Sequence, residues 1–284
     1  MPAKIKQKRI ISVSRRTDIP AFYSEWFINR IRDGFCCTPN PRYPKQKTKS
    51  ISLKPENVEI IVFWTRDPKP LMKYLPELDK RGYKYYFQYT VVGYPREIDP
   101  RAPSLDTAIR TFKELSDMIG KEKVIWRYDP ILFSNITSFE WHVRQMSDIS
   151  GQLRENTETL VISFIDRIRK KISGNFKLYP NVFEAESYRK LAGWIGSEMR
   201  AKGLKVVTCA EKIDLSAYGI GHGKCIDDSL INQILERKTV SKKDPAQRKT
   251  CGCVVSKDIG VNDTCLFGCK YCYAAGAHNK NSPS

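Results

Sequence analysis

The chain has 284 residues, of which 41% are hydrophobic and 11% aromatic, a composition that is typical of a globular protein and excludes disorder throughout. Its 49 lysines and arginines outnumber its 31 aspartates and glutamates, and the formal net charge of +18 is compatible with a nucleic-acid partner, an anionic substrate or simply a basic surface. No apolar run approaches the roughly eighteen residues of a membrane span, and the basic first residues lack the apolar segment of a secretory signal, so we expect a cytoplasmic protein without a membrane partner.

Six apolar segments rich in β-branched or aromatic residues alternate with helical patterns. The predicted strands cover 10–14, 58–63, 85–92, 124–126, 160–166 and 205–211, and the predicted helices cover 21–33, 70–79, 104–118, 138–150, 182–201 and 227–237. Gly34 is predicted to end the first helix and Ser104 to cap the third. The Pro- and Lys-rich residues 36–49 between the first two units predict a loop with an irregular or edge-strand path.

Strands that alternate with helices in this way predict an α/β fold with a parallel sheet and right-handed crossovers. Six units fit an open (β/α)6 partial TIM-type barrel better than a closed eight-stranded one, and we assign residues 1–217 to this barrel domain. Residues 218–284 contain too few apolar residues for a core of their own. We therefore expect them to form a cysteine-rich tail that packs over the barrel mouth.

Polar side chains follow all six predicted strands. The carboxyl ends of strands in a parallel β/α barrel meet at one face, where binding sites are built. A helix cap or a loop salt bridge explains any one of these residues equally well, but six polar ends together predict a binding site. The candidate binding residues are Arg15, Arg16, Arg66, Gln88, Arg127, Asp129 and Asp166.

Cysteine usage favours a metal or an iron–sulfur cluster over disulfide bonds. The chain has nine cysteines, an odd number, and seven of them follow residue 200. A disulfide framework needs pairs and an oxidising compartment, whereas crowded cysteines in a reducing compartment are typical of metal or cluster ligands.

Cys265, Cys269 and Cys272, called here the cysteine triplet, have the spacing C-x3-C-x2-C. Three thiolates on a short loop can bind three irons of a [4Fe–4S] cluster and leave the fourth iron without a protein ligand. Packed thiols or part of a zinc site are the alternatives. The spacing, with Tyr271 before the third cysteine, resembles the signature of radical S-adenosylmethionine (SAM) enzymes, although in most of that superfamily the triplet lies near the start of the chain.

Cys209, Cys225, Cys251 and Cys253, called here the four-cysteine group, are a second candidate site. Four thiolates from three segments suit either an auxiliary [4Fe–4S] cluster or a structural zinc ion. The Cys-x-Cys spacing is less typical of zinc ribbons and modestly favours the cluster, and a packed thiol remains the alternative for Cys209. The adjacent Cys36 and Cys37 point to opposite sides of an extended chain and are expected to be incidental.

Six segments spread over nearly the full length resemble the DUF1848 family, a domain of unknown function. They are residues 11–23 (ISVSRRTDIPAFY), 62–68 (VFWTRDP), 124–131 (VIWRYDPI), 161–164 (VISF), 251–253 (CGC) and 265–273 (CLFGCKYCY). That family is described as carrying a cysteine group like that of radical SAM proteins, and the resemblance implies no particular substrate.

The resemblance to radical SAM enzymes implies that SAM binds the open iron, is reductively cleaved to a 5′-deoxyadenosyl radical and so abstracts a hydrogen atom from a substrate. The SAM carboxylate would pair with one of the four candidate arginines, and the ribose hydroxyls with Asp129, Asp166 or Gln88. No Gly-Gly-Glu-like stretch follows the second strand, so the SAM amine must be held by other residues. A reductant such as flavodoxin or ferredoxin would be a partner, and the substrate would be anionic or a nucleic acid.

Two other functions fit parts of the sequence. The basic runs at 42–49 and 238–249 are compatible with a zinc-stabilised nucleic-acid-binding protein, although such runs are more often solvated surface. An iron–sulfur electron-transfer protein is the third hypothesis, but a large β/α scaffold with polar strand ends exceeds what that role requires.

Overall fold

The structure is a computed structural model of the chain, and it describes residues 8–39, 49–165, 186–239 and 241–275. Its strands are β1 (Arg9–Val13), β2 (Phe35–Thr38), β3 (Lys49–Ser52), β4 (Val58–Thr65), β5 (Tyr85–Thr90), β6 (Val124–Ile131), β7 (Thr159–Phe164), β8 (Lys205–Thr208), β9 (Gly221–His222) and β10 (Lys257–Asp258). Its α-helices are α1 (Ile19–Phe22), α2 (Ser24–Asp33), α3 (Lys69–Met72), α4 (Leu75–Lys80), α5 (Leu105–Ile119), α6 (Phe139–Leu153), α7 (Glu186–Ala201) and α8 (Asp228–Leu235). Single 3-10 turns cover Pro55–Asn57, Lys121–Lys123 and Ser216–Tyr218.

The main sheet has eight parallel strands in the order β10-β1-β4-β5-β6-β7-β8-β9. The six predicted strands are its six central members, and they lie side by side in chain order, so the predicted parallel α/β architecture is confirmed. The sheet is not shown to be closed, because no pairing among the described residues joins β9 to β10 at its two edges. β2 and β3 form a separate antiparallel pair.

Two helices predicted as continuous are each divided in two. Tyr23 separates α1 from α2 with a non-helical backbone, while Gly34 ends α2 in the left-handed conformation, as predicted. Pro76 lies in the first turn of α4, where its missing N–H costs nothing, so helix 70–79 restarts there as α3 and α4. The side chains of Ser104 and Ser138 accept the capping hydrogen bonds of α5 and α6.

Both faces of the sheet are buried, as expected for parallel strands between layers. Alternate residues of β4 belong to different core clusters, with Ile61 and Phe63 in the larger one and Ile60 and Val62 in the smaller one. The larger cluster includes apolar side chains of α2, α5, α6 and α7, whereas the smaller one includes apolar residues of α8 and three cysteines that follow β8. The four-cysteine group therefore packs with the smaller cluster, whereas Cys269 and Tyr271 of the triplet loop pack with the larger one.

Several predicted features fall partly or wholly outside the described residues. They are Asp166, the first residues of the helix at 182–201 and most of the basic run at 42–49. In the described part of the chain, no helix is both long enough and apolar enough to cross a membrane. Cys36 is buried and Cys37 exposed, in agreement with their predicted opposite orientations on β2.

Candidate functional site

A cavity of about 360 Å³ lies at the carboxyl ends of the central strands. All seven cysteines that follow residue 200 line it, as do polar side chains from β4, β6 and β7 and from the turn after β1. The convergence follows from the topology, because parallel strands in chain order present their carboxyl ends at the same edge of the sheet. The cysteine triplet and the four-cysteine group thus face the same space.

The loop that carries the triplet is fixed at several points. The Tyr23 hydroxyl donates to the carbonyl oxygen of Thr264 at 2.6 Å, and the Lys270 N–H donates to that of Ile98 at 3.0 Å. Gly268, between the first two cysteines, has a φ of +69°, which L side chains rarely adopt. The Cys272 N–H donates to the carbonyl oxygen of Cys269 at 3.0 Å, so the last turn of the loop is tight.

Arg66 connects the triplet to a buried carboxylate. Its Nη1 lies 2.7 Å from Asp99 Oδ2 and 3.1 Å from Cys269 Sγ, and its guanidinium carbon lies 5.9 Å from the centre of the Tyr271 ring. Burial raises the pKa of the Cys269 thiol, and the Arg66 charge opposes that effect. Burial alone would lower the pKa of Arg66, but Asp99, Tyr271 and Cys269 together raise it well above its ordinary value, so the guanidinium stays charged.

Hydrogen bonds between sulfurs link the four-cysteine group. Cys225 Sγ lies 3.0 Å from Cys209 Sγ, and Cys253 bonds both Cys225 and Cys251. No three His, Cys, Asp or Glu side chains of the described ranges are already arranged to hold a metal ion. The four sulfurs are thus linked by contacts from one to the next, and metal binding would release the protons that the thiols still hold.

Arg127 lies at the centre of the polar network beneath the cavity. It donates to Gln88 Oε1 and to Cys225 Sγ, both at 3.0 Å, and forms an ion pair with Asp129, which also accepts from Ser163. Although burial opposes its charge, Cys225 and Asp129 raise the pKa of Arg127 well above its ordinary value. The guanidinium is therefore a permanent positive charge beside the four-cysteine group.

Two guanidinium groups make cation–π contacts with the indole ring of Trp64. The guanidinium carbons of Arg15 and Arg127 lie 5.3 Å and 5.1 Å from its ring centre, and its Nε1 donates to Ser12 Oγ at 3.1 Å. Cation–π contacts of this kind hold a charged side chain in place without using its N–H donors.

Asp258 of β10 organises the turn after β1. Its carboxylate accepts hydrogen bonds from the hydroxyls of Ser12 and Ser14, from the Arg15 N–H and from the Arg16 side chain. These contacts lower the pKa of Asp258 although burial alone would raise it. Asp18, in the same turn, caps α1 and also accepts the Arg66 N–H at 2.6 Å, and burial raises its pKa to about 7.

Residues 10–274 match the model of a protein family described as "Domain of unknown function (DUF1848)". The chain belongs to the DUF1848 family. The match covers every described strand of the sheet except the first residue of β1, and it confirms the resemblance that the sequence segments predicted.

Other comparisons add no function to the DUF1848 assignment. A search of curated proteins finds no match. A solved structure of a candidate alpha-L-fucosidase from Bacteroides thetaiotaomicron is 9% identical over 76% of this chain and 79% of its own, with a TM-score of 0.30. A short-chain type dehydrogenase/reductase from Mycobacterium marinum is 8% identical over 72% of this chain and 73% of its own, with a TM-score of 0.25. Both TM-scores are too low for either similarity to carry an argument.

Five of the seven predicted binding residues of this DUF1848 protein line the cavity: Arg15, Arg16, Arg66, Arg127 and Asp129. Gln88 lies beneath it, where its amide bonds Arg127 and the carbonyl oxygen of Cys225, and Asp166 is outside the described residues. Arg16, Arg66 and Arg127 each have a carboxylate partner. Arg15 differs, because its Nη2 is buried and has no hydrogen-bond partner in the described part of the chain.

Sequence analysis missed Asp99 and Asp258, the partners of Arg66 and Arg16. Asp99 lies in the loop after β5, nine residues beyond the strand end, and Asp258 lies in a strand of two residues. Neither position has a local pattern that marks it as part of a site. Trp64 and Tyr271 were within segments that the resemblance singled out, but their contacts with guanidinium groups had no signal in the sequence.

Proposed function

We propose that this DUF1848 protein is a radical SAM enzyme that binds a [4Fe–4S] cluster through Cys265, Cys269 and Cys272. The observation that supports the proposal best is that all three thiols line the same cavity as the polar strand ends. A cluster needs three thiolates on one side and open space on the other, and a cavity that all three thiols line is compatible with that requirement. When bound, the cluster and SAM would supply a reductively generated 5′-deoxyadenosyl radical for hydrogen-atom abstraction.

The residues around the triplet suit bound thiolates. A cluster ligand is deprotonated, so its negative charge must be balanced where water is excluded. Arg66 supplies a fixed positive charge 3.1 Å from Cys269 Sγ, and Asp99 holds that guanidinium in position. The role of Arg66 is therefore to favour the ionised thiol and to orient it, since Arg66 has no proton to exchange near neutral pH.

Arg15 is the best candidate to hold the SAM carboxylate. A buried guanidinium donor without a partner costs free energy, which a ligand carboxylate can recover through a charge-assisted hydrogen bond. Asp129 presents a carboxylate that Arg127 and Ser163 hold at the cavity wall, and it is suited to accept from ribose hydroxyls. Trp64, Phe267 and Tyr271 line the same space, so apolar surface would exclude water from a reactive intermediate.

The same proposal extends to the shape and the partners of the protein. Consecutive parallel strands in chain order are the arrangement of an open β/α barrel, so we propose that the sheet curls as a partial TIM-type barrel around the cavity. The formal net charge of +18 favours an anionic substrate. The electron would come from a flavodoxin or a ferredoxin in the cytoplasm.

Anaerobic purification followed by iron and sulfide analysis tests the cluster directly. We expect about four irons and four sulfides per chain at the triplet. Reduction with dithionite in the presence of SAM should then yield 5′-deoxyadenosine, measured by chromatography. Cys269→Ser should lose both the iron and the product, whereas Cys37→Ser, an exposed cysteine of β2, should keep both.

Each failure has a distinct meaning. Iron-free, colourless protein from anaerobic cells would contradict the cluster. A protein that holds the cluster but yields no 5′-deoxyadenosine with SAM would contradict radical SAM chemistry and would instead support the electron-transfer hypothesis.

A further inference from the structure

We propose that Cys209, Cys225, Cys251 and Cys253 bind a single zinc ion as a four-thiolate structural site. This site uses none of the triplet cysteines, so it and the proposed radical chemistry can succeed or fail separately. Zinc, and not a second cluster, is the occupant that the spacing of the sulfurs favours.

The spacing of the sulfurs distinguishes the two groups of cysteines. With Zn–S bonds of about 2.3 Å in a tetrahedron, neighbouring sulfurs lie about 3.8 Å apart. Cys209 Sγ and Cys225 Sγ are 3.0 Å apart, which is nearer to that separation than to the wider one that a cubane needs, and Cys253 is a hydrogen-bond partner of both Cys225 and Cys251. A cubane holds its ligands at four separate corners and therefore needs them farther apart.

The triplet offers an internal comparison. In the described part of the chain, no sulfur–sulfur hydrogen bond joins Cys265, Cys269 and Cys272, unlike the bond between Cys225 and Cys209 in the four-cysteine group. The same chain thus holds three thiols that line a cavity and four thiols that are linked from one to the next. The first arrangement suits a large cluster, and the second suits one small ion.

The burial of the cysteine side chains also favours a structural zinc ion. Cys225 and Cys253 are each 2% exposed and Cys251 is 7% exposed, while Cys209 is partly buried. Structural zinc sites are closed and use four protein ligands, whereas catalytic zinc sites leave one position for water. Four thiolates would fill the coordination sphere of zinc and leave no position for a reaction.

The charges around the group match such an ion. Zinc with four thiolates carries a net charge of about −2, which must be compensated in a buried position. Arg127 donates to Cys225 Sγ at 3.0 Å, and Arg15 is close enough to Cys253 and Cys225 to interact with their charge. The Ile226 N–H donates to Cys253 Sγ at 3.4 Å, which is the type of outer contact that orients a metal ligand.

The ion would join three separate segments of the chain. Cys209 follows β8, Cys225 follows β9, and Cys251 and Cys253 lie in the loop before β10. These segments cover the face of the sheet that carries the smaller core cluster. Because that cluster has fewer buried apolar side chains than the larger one, apolar burial stabilises this face less. Zinc binding would therefore stabilise the folded form of this part of the protein.

The test uses the full chain with Cys265, Cys269 and Cys272 all replaced by Ser, which removes the proposed cluster. We expect this variant to retain about one zinc per chain and no iron, with four sulfurs at about 2.3 Å in zinc X-ray absorption. Removing zinc with a chelator should lower its Tm, and adding zinc back should restore it. Adding Cys253→Ser to the same variant should lose the zinc, whereas adding Cys37→Ser should not.

Two results would overturn the zinc site. One is iron and sulfide bound to the triple variant in place of zinc, which would assign the four-cysteine group to a second cluster. The other is a folded triple variant that binds no zinc. If the triple variant does not fold, wild-type protein from zinc-supplemented cells gives the same X-ray absorption test, and zinc bound by fewer than four sulfurs would contradict the proposal.

Discussion

Arg66 has two partners, the Asp99 carboxylate and the Cys269 thiol, in a place where water cannot substitute for either. Its side chain is 12% exposed and that of Asp99 is 1% exposed, so removing the guanidinium leaves a carboxylate buried without its counter-charge. Losing one partner of a buried ion pair costs about 3–5 kcal/mol. At the scale of single residues, a substitution of either partner of this ion pair should therefore destabilise the protein strongly.

We predict that Arg66→Gln lowers the free energy of unfolding by about 3–5 kcal/mol and also reduces iron binding, because Cys269 loses its neighbouring positive charge. Urea unfolding and iron analysis measure the two effects. Arg66→Gln with Asp99→Asn should recover part of the stability, since no unpaired charge remains, but should recover none of the iron.

Arg32→Gln is the matched control. Arg32 also pairs with a carboxylate, Glu77, but its side chain is 46% exposed, so the loss of stability should be much smaller than that of Arg66→Gln. Equal losses for Arg32→Gln and Arg66→Gln would contradict the importance of the buried position.

The unpartnered donor of Arg15 leads to a second prediction at this scale. If Arg15 binds the SAM carboxylate, Arg15→Gln should weaken binding of S-adenosylhomocysteine roughly ten- to hundred-fold, the equivalent of one hydrogen bond to a charged group. Titration calorimetry on protein with its cluster measures this change. Lys69→Gln removes the same charge from a surface ion pair and should leave affinity unchanged, and an unchanged affinity in Arg15→Gln would exclude that role.

At the scale of elements, the triplet loop depends on the left-handed backbone of Gly268. A Cβ at this position would meet Pro100 Cγ at 3.7 Å, which is an ordinary contact, so Gly268→Ala would act through the backbone alone. We predict a loss of about 1–2 kcal/mol together with weaker iron binding, because the loop must shift its cysteines to relieve the strain. Thermal unfolding and iron analysis measure both.

Gly203→Ala is the control that distinguishes backbone strain in general from strain within the triplet loop. Gly203 has a φ of +75° and open space at its Cβ, and it does not line the cavity. It should show a similar loss of stability with iron binding intact. If the two variants lose iron equally, the effect is general destabilisation and not loop geometry.

The elements also show where sequence patterns stop being sufficient. The six central strands of the main sheet were predictable because each buries both faces and so appears as an apolar run. β9 and β10 were not, since two residues carry no period and their pairing depends on where the sheet edges lie. The division of these helices was missed because the hydrophobic period continues across Tyr23 and Pro76, although the helical backbone is interrupted near both residues.

At the scale of the whole molecule, the buried His142, which does not line the cavity, makes the free energy of unfolding depend on pH. Its Nε2 donates to the carbonyl oxygen of Leu132 and its Nδ1 accepts from the Tyr128 hydroxyl, both at 2.9 Å, so the folded protein holds it neutral. Burial lowers its pKa from 6.5 to about 4. The unfolded chain therefore binds a proton that the folded chain does not, and stability falls as pH falls through this interval.

We predict that His142 contributes up to about 3 kcal/mol to the loss of stability between pH 6.5 and pH 4. Urea unfolding at several pH values measures the slope. His142→Gln does not titrate in this range, so its curve should be flatter by the equivalent of one proton, whatever its stability at neutral pH. Parallel curves for the two proteins would contradict the assignment.

Much of the candidate site followed from topology. Arg15, Arg66 and Arg127 were predicted because parallel strands bring their carboxyl ends together, and they do line one cavity. Which arginine retains a donor for a ligand was not predictable, since that depends on carboxylates from a distant loop and from β10. The sequence also left open whether the two cysteine groups share a space, because spacing along the chain does not fix distance across it.

The two outer strands of the sheet, β9 beside β8 and β10 beside β1, both come from residues after 218. During synthesis, the six central strands therefore leave the ribosome before either of their flanks exists, with unpaired backbone exposed along β1 and β8. A nascent chain that stalls at this stage is prone to pair with its neighbours. Completion of the cysteine-bearing portion would thus also end the period in which the newly made protein can aggregate edge to edge.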